Sequence, residues 1–144
     1  MSYDTPQEIT YDYNAQAFGG GTITRHIQGP KGKRGRVAYI LASPTVAFVG
    51  TTTPGAVQVG VSGTLTKFAN VPMGTAGVPA PVNVPIVASD YVGGLTGMQM
   101  ASSTTPPYAY AYAPADTDII VTLLAPTGGA PAGTADVVVK VEWF

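Results

Sequence analysis

Apolar and polar residues alternate along several stretches of this chain, and a period of two residues is the pattern of a half-buried β-strand. In residues 56–62 three valines alternate with small or polar residues. The same period predicts strands over 117–124 and 134–144, which we expect to form an apolar C-terminal hairpin joined by a surface loop over 125–133. One face of each strand is apolar, with Ile119, Val121 and Leu123 in the first and Val137, Val139, Val141 and Trp143 in the second.

Further strands are predicted where β-branched and aromatic residues lie between Gly and Pro. An apolar run over 36–43 places Val37, Tyr39 and Leu41 on one face, and 45–49 continues it beyond a kink at Pro44. Pro85 has no backbone N–H, so a strand that contains it belongs at a sheet edge or a bulge. The remaining predicted strands are 22–28, 64–71, 82–88 and a segment in which Tyr108, Tyr110 and Tyr112 alternate with alanines.

The first 21 residues differ from the rest of the chain. They show no clean apolar period of 3.6 and end in three glycines, Gly19 to Gly21. We therefore predict an extended N-terminal arm over 1–21, followed by a flexible joint and a single β-sandwich domain over 22–144.

Gly and Pro occur so often that helices have little room to form. The chain contains 18 Gly and 13 Pro among 144 residues, and its 17 Val and 18 Thr contrast with 5 Leu. Short strands separated by Gly/Pro-rich loops, with no helical pattern between them, predict an all-β antiparallel sandwich or barrel.

Charge is segregated along the sequence, although the formal net charge is only −1. Between Tyr13 and Ser89 there are six bases and no acid, whereas the acids lie in the first 12 and the last 55 residues. Such segregation suits a subunit that meets a partner, or a copy of itself, in one orientation.

Most of the bases lie in a turn-rich loop over 27–37 that contains Lys31, Lys33, Arg34 and Arg36. An acidic protein partner, a nucleic-acid backbone or solvent could each face such a loop. The sequence pI of about 5.6 argues against nucleic acid, and no Gly-Lys-Ser/Thr phosphate-binding motif occurs.

The tyrosines at 108, 110 and 112 would line one face of a sheet. Aromatic rings on a sheet can stack on sugars or bases, or they can belong to the core or to a contact between subunits. Trp143 and Phe144 end the sequence, and alternation predicts that one points inward while the other lies at the rim or under a neighbouring subunit.

Candidate chemistry is sparse. Cys is absent, which excludes disulfides and thiolate metal sites. The single histidine, His26, follows Arg25, and Asp116 and Asp118 lack the loop of a calcium site. Neither a Gly-x-Ser-x-Gly elbow nor a Gly-x-Gly-x-x-Gly turn is present. We expect no enzymatic activity, no cofactor and no metal.

No secretory signal and no apolar run of membrane-spanning length is visible. We therefore expect synthesis in a cytosol and no membrane partner.

Three segments resemble small capsid cement (decoration) proteins of tailed bacteriophages. They are Ile27 to Val37, Thr51 to Gly60 and Asp116 to Phe144, and the resemblance runs in order from about residue 25 to 144. It implies a jelly-roll-like β-sandwich on the outer surface of an icosahedral virion, made in the cytoplasm of a host bacterium. It also implies a homodimer or homotrimer that clamps neighbouring major capsid protein subunits.

On that basis two sets of residues are predicted to make contacts. The capsid-interface set is Arg25, Lys31, Lys33, Arg34 and Arg36, and the self-association set is Tyr108, Tyr110, Tyr112, Trp143 and Phe144. The alternative is a glycan-binding module of a phage tail fibre or spike that uses the tyrosine face. Direct nucleic-acid binding is a third, less favoured hypothesis.

Overall fold

The computed structural model describes residues 7–74, 82–85 and 112–144 of the chain. These residues form β-strands and contain no helix, so the all-β prediction is confirmed. No helix in the described ranges is long and apolar enough to cross a membrane. The strands of the described part are β1 (Gln7–Ala17), β2 (Ile23–Ile27), β3 (Gly35–Val49), β4 (Gly55–Val61), β5 (Thr64–Gly74), β6 (Val82–Pro85), β7 (Ile119–Leu124) and β8 (Ala132–Trp143).

The strands form two four-stranded antiparallel sheets. We call them sheet A, with strand order β1-β8-β3-β6, and sheet B, with strand order β2-β7-β4-β5. The core lies between the two sheets, as in a β-sandwich. The shortest strand, β6, lies at an edge of sheet A, which confirms the edge position predicted from Pro85.

Strand β8 shows how the sequence pattern produces the core. Its residues alternate between buried and half-buried along the whole strand, and Val137, Val139 and Val141 are fully buried. From sheet B, Ile119, Val121 and Leu123 of β7 fill the opposite side of the same core. The apolar faces predicted for both segments are therefore confirmed.

The prediction that these two segments, β7 and β8, pair as a hairpin is wrong. β7 pairs with β2 and β4 in sheet B, whereas β8 pairs with β1 and β3 in sheet A. Both strands bury an apolar face in one core, and they do so from opposite sides rather than side by side. The loop over 125–131 carries the chain from one sheet to the other.

Strand β3 is one continuous strand through Pro44, and its register against β8 shifts between Val37 and Tyr39. The extra residue of this β-bulge changes the side on which the following residues lie. Val37, Ile40 and Ala42 are buried, while Tyr39 is only half-buried. The prediction that Val37, Tyr39 and Leu41 share a face is therefore wrong, because simple alternation takes no account of a bulge.

The predicted N-terminal arm also needs correction over the described residues. Gln7–Ala17 is extended, but it forms edge strand β1 of sheet A and pairs with β8 from Gln7↔Trp143 to Ala17↔Thr134. Ile9, Tyr11 and Tyr13 lie opposite the buried valines of β8 and pack against the core. This segment has a period of two residues, which a search for a helical period of 3.6 does not detect.

The two ends of the sandwich differ in composition. At one end, which we call the uncharged end, residues 18–22, 50–54 and 125–131 carry no charged side chain. The loop over 125–131 lies on the surface, and backbone bonds tie it to the neighbouring loop, including Thr52 N to Thr127 O at 2.9 Å and Thr127 N to Thr53 O at 3.0 Å. The opposite end, where β3 begins and β8 ends, holds the predicted basic loop.

Candidate functional site at the charged end

The charged end consists of the loop over 28–34, the segment over 112–118 and the last two residues, Trp143 and Phe144. Arg34 and Phe144 exchange two backbone hydrogen bonds, each of 2.9 Å. Gly35 and Ala113 exchange two more, of 3.2 and 2.7 Å. The basic loop is therefore held between two other segments rather than projecting freely.

A side-chain acceptor stabilises the tip of the loop. Gly32 donates its backbone N–H to Asp116 Oδ1 at 2.8 Å, and Lys33 N closes a turn onto Pro30 O at 3.1 Å. Gly32 and Asp116 both have left-handed backbone conformations, with φ of 76° and 57°. Glycine and aspartate are among the residues that tolerate this conformation best.

The side chain of Trp143 packs under the basic loop and is only 1% exposed. A Cβ atom added to Gly29 or Gly35 would lie 2.2 or 2.6 Å from Cζ3 of the indole. Both positions therefore require glycine, because the loop backbone passes directly over the ring. The sequence shows a pair of glycines that flank the bases. It does not show that Trp143 is the side chain beneath both of them.

Aromatic rings and guanidinium groups pack together beside Trp143. The rings of Tyr112 and Phe144 meet edge to face, with centroids 5.6 Å apart. Arg34 lies 4.7 Å above Tyr112 and Arg36 lies 5.5 Å from Phe144, at cation–π distances. Arg36 also donates from Nε to Glu142 Oε2 at 2.9 Å and contacts the same oxygen through Nη2.

A cleft of roughly 210 Å³ opens between the loop and the 112–118 segment. Its lining combines Lys31 and Lys33 with Asp116 and Asp118, and Trp143 also lines it. Asp118 Oδ2 lies 3.2 Å from Nδ1 of His26. No group of three or more potential metal ligands occurs among the described residues.

Bases and acids that are far apart in the sequence meet in space. Arg36 pairs with Glu142, so a base of the cationic middle faces an acid from the last part of the chain, and Asp118 from the same part contacts the His26 ring. Part of the charge segregation seen along the sequence is therefore satisfied inside one molecule. The charge complementarity that we expected between molecules is thus found, in part, within one molecule.

The predicted capsid-interface residues do not form one surface. Lys31, Lys33 and Arg34 lie together at the charged end, and Lys31 is exposed. Arg36 is half-buried and engaged with Glu142. Arg25 lies apart on β2, where its Nη2 donates to Gln16 Oε1 of β1 at 2.8 Å.

The predicted self-association residues are also separated by the fold. Trp143 is buried inside its own molecule, so the prediction that its side chain reaches a second copy is wrong. Tyr112 and Phe144 are half-buried and pack against each other. The other two, Tyr108 and Tyr110, lie outside the described residues.

Sequence reasoning assigned no role to a second aromatic region, on β1. Tyr11 and Tyr13, like Ile23 of β2, are partly buried and pack against the core. Burial raises the pKa of Tyr13 above its ordinary value, and the nearby Tyr11 raises this pKa further, whereas Arg25 lowers it. The period-two spacing of Ile9, Tyr11 and Tyr13 is the signal that could have identified this strand.

Comparisons with protein-family models, with curated proteins and with solved structures found no match to this chain.

Proposed function

We propose that this chain is a non-enzymatic structural protein of a phage virion, folded as a jelly-roll-like sandwich, that binds the outer capsid surface and clamps neighbouring major capsid protein subunits. The observation that carries the proposal is the fixed position of the basic loop. Four backbone hydrogen bonds and the Asp116 acceptor hold it in one conformation. A loop that is already ordered loses less conformational entropy on binding than a mobile one.

We assign the proposed contact to three of the five predicted bases. Arg36 is half-buried beside Glu142, and Arg25 lies at a different edge of the sandwich. Lys31, Lys33 and Arg34 are the ones that share the charged end. Repetition of the contact over the symmetric sites of a shell would add many modest interactions into substantial stabilisation.

Co-sedimentation of the purified protein with empty phage heads tests the proposal. Replacement of both lysines, Lys31→Ala with Lys33→Ala, removes two charges from the proposed contact. We expect affinity to fall by about tenfold at low salt, because each exposed ion pair contributes up to about 1 kcal/mol. The loss should shrink as salt rises, since salt already screens the wild-type contact.

Arg25→Ala is the matched control, because it removes a base that lies on β2 rather than in the loop. It should leave binding to heads unchanged. Equal sedimentation of the double variant and the wild type at every salt concentration would contradict the assignment of the loop. Failure of the wild-type protein to sediment with heads would contradict the proposed function itself.

A further inference from the structure

Among the described residues the two sheets have four edge strands, and three of these strands carry features that oppose pairing with another chain. β6 is four residues long and includes Pro85, and β2 is only five residues long. β5 contains Lys67 and Pro72, and its register against β4 shifts twice. Short length, lysine, proline and irregular register are the devices by which natural sheets protect their edges.

The fourth edge strand, β1, has few of these features. It is 11 residues long and contains no proline, lysine or arginine. Its pairing with β8 is regular from Gln7 to Tyr13, and the only register shift lies between Tyr13 and Gln16. The other long side of this seven-residue stretch has no strand beside it among the described residues. Its free backbone groups form a regular row that can pair with a further strand.

The two faces of β1 have opposite character. Ile9, Tyr11 and Tyr13 lie on the core side but remain only half-buried, unlike the valines opposite them on β8. Part of each of these three side chains is therefore exposed to solvent. Apolar side chains on an added strand would cover them and exclude water.

The outer face of the same strand is acidic. Glu8 and Asp12 are exposed there, and Thr10 lies between them. Glu8 already pairs with Lys140 of β8 at 3.0 Å, whereas Asp12 forms no ion pair within the described ranges. An added strand would therefore gain most from a basic side chain opposite Asp12.

We infer that the edge of β1 that faces away from β8 accepts an extended segment of a partner protein as an added strand, in which apolar residues alternate with Lys or Arg. A second copy of β1 fits less well, because this strand contains no lysine or arginine to place opposite Asp12 in any register. In an antiparallel pair centred on Thr10, Glu8 of one copy lies opposite Asp12 of the other, and like charges opposite each other destabilise a sheet. The inference does not depend on the charged end or on capsid binding.

Two synthetic peptides of nine residues test the inference with the full chain. One alternates Val and Lys, the other alternates Val and Glu, and each carries a dye for fluorescence polarisation. We expect the Lys peptide to bind more tightly than the Glu peptide. Asp12→Lys should invert this preference, with roughly a tenfold loss for the Lys peptide and a gain for the Glu peptide.

Thr66→Lys, which places a new base on exposed residue 66 of β5 at the opposite side of the sandwich, is the control and should not invert the preference. A Lys peptide in which every backbone amide is N-methylated keeps its side chains but has no N–H to donate along either edge, so it should lose binding. Equal binding of the methylated peptide, or a preference that Asp12→Lys leaves unchanged, would overturn the inference. Size-exclusion elution of the wild type as a dimer that an excess of the Lys peptide converts to monomer would also overturn it, by assigning the edge to a second copy.

Discussion

A large buried aromatic ring closes each end of the sandwich, but different interactions hold the surface segments together at the two ends. At the charged end Trp143 lies beneath Gly29 and Gly35, and at the uncharged end Phe48 lies beneath Gly55 and Gly133. A Cβ atom on Gly133 would lie 2.6 Å from the Phe48 ring, as close as one on Gly35 would lie to the Trp143 ring. Each end therefore has one large aromatic side chain covered by two glycine backbones.

The interactions between the surface segments that cover these two rings differ. At the charged end a cation–π pair, an ion pair and the Asp116 carboxylate join the surface segments. At the uncharged end the bonds are between backbone groups and between the hydroxyls of Thr53 and Thr127, which lie 2.6 Å apart. The comparison separates two roles: buried aromatic packing closes the fold at both ends, and charge is added at one end, where it can also meet a partner.

The first prediction tests whether the two ends are closed equally. Trp143→Ala and Phe48→Ala should each lower the free energy of unfolding by about 3–5 kcal/mol, because each leaves a large cavity in a fully buried site. Urea unfolding followed by far-UV circular dichroism measures both. Val49→Ala, beside Phe48 but 39% exposed, is the control and should cost less than about 1 kcal/mol. A loss for Phe48→Ala less than half of that for Trp143→Ala would show that the closures are not equivalent.

The second prediction tests the difference in forces. Glu142→Gln should destabilise the protein by about 1 kcal/mol at low salt, because it weakens a partly buried ion pair with Arg36. The effect should shrink in 1 M NaCl. Thr53→Val should cost about 0.5 kcal/mol at any salt concentration, since it removes a hydrogen bond between uncharged groups.

Urea unfolding at two salt concentrations gives both values. Arg36→Met and the double variant complete a cycle that isolates the coupling between the charges. A Thr53→Val effect that depends on salt as strongly as that of Glu142→Gln would remove the contrast between the ends.

The third prediction concerns the hydrogen bond at the tip of the basic loop. Asp116→Ala should lower stability by about 0.5–1 kcal/mol, because the Gly32 N–H loses its acceptor and alanine is strained at a φ of 57°. Asp116→Asn should cost less than about 0.5 kcal/mol, since asparagine keeps a carbonyl acceptor and tolerates this conformation. Thermal unfolding measures the difference. Equal losses for the two variants would mean that the carboxylate charge, rather than the hydrogen bond, holds the loop.

The sequence predicted the strands well where alternation was simple. The alternating burial of β8 follows from period two, whereas β7 is buried on both faces. The edge position of β6 follows from the missing N–H of Pro85. Alternation states which side of a strand is buried but not which strand lies beside it. The division of β7 and β8 between two sheets was therefore not visible, and neither was the face change at the bulge after Val37.

The candidate site was only partly predictable for a related reason. The bases over 27–37 are conspicuous in the sequence, but contacts with residues more than 80 positions away decide what each one does. Arg36 meets Glu142, and Gly32 meets Asp116. In the sequence Trp143 is only an aromatic residue near the end. Its role in packing under Gly29 and Gly35 becomes visible in the fold.

The central place of β8 in sheet A has a consequence for the order of folding. β1 and β3 do not pair with each other, and each is joined to sheet A through β8, which follows them by more than 80 residues. Closing such distant contacts costs chain entropy and slows folding. During synthesis the ribosome releases β1 and β3 long before their shared neighbour exists, so sheet A forms only after β8 has emerged.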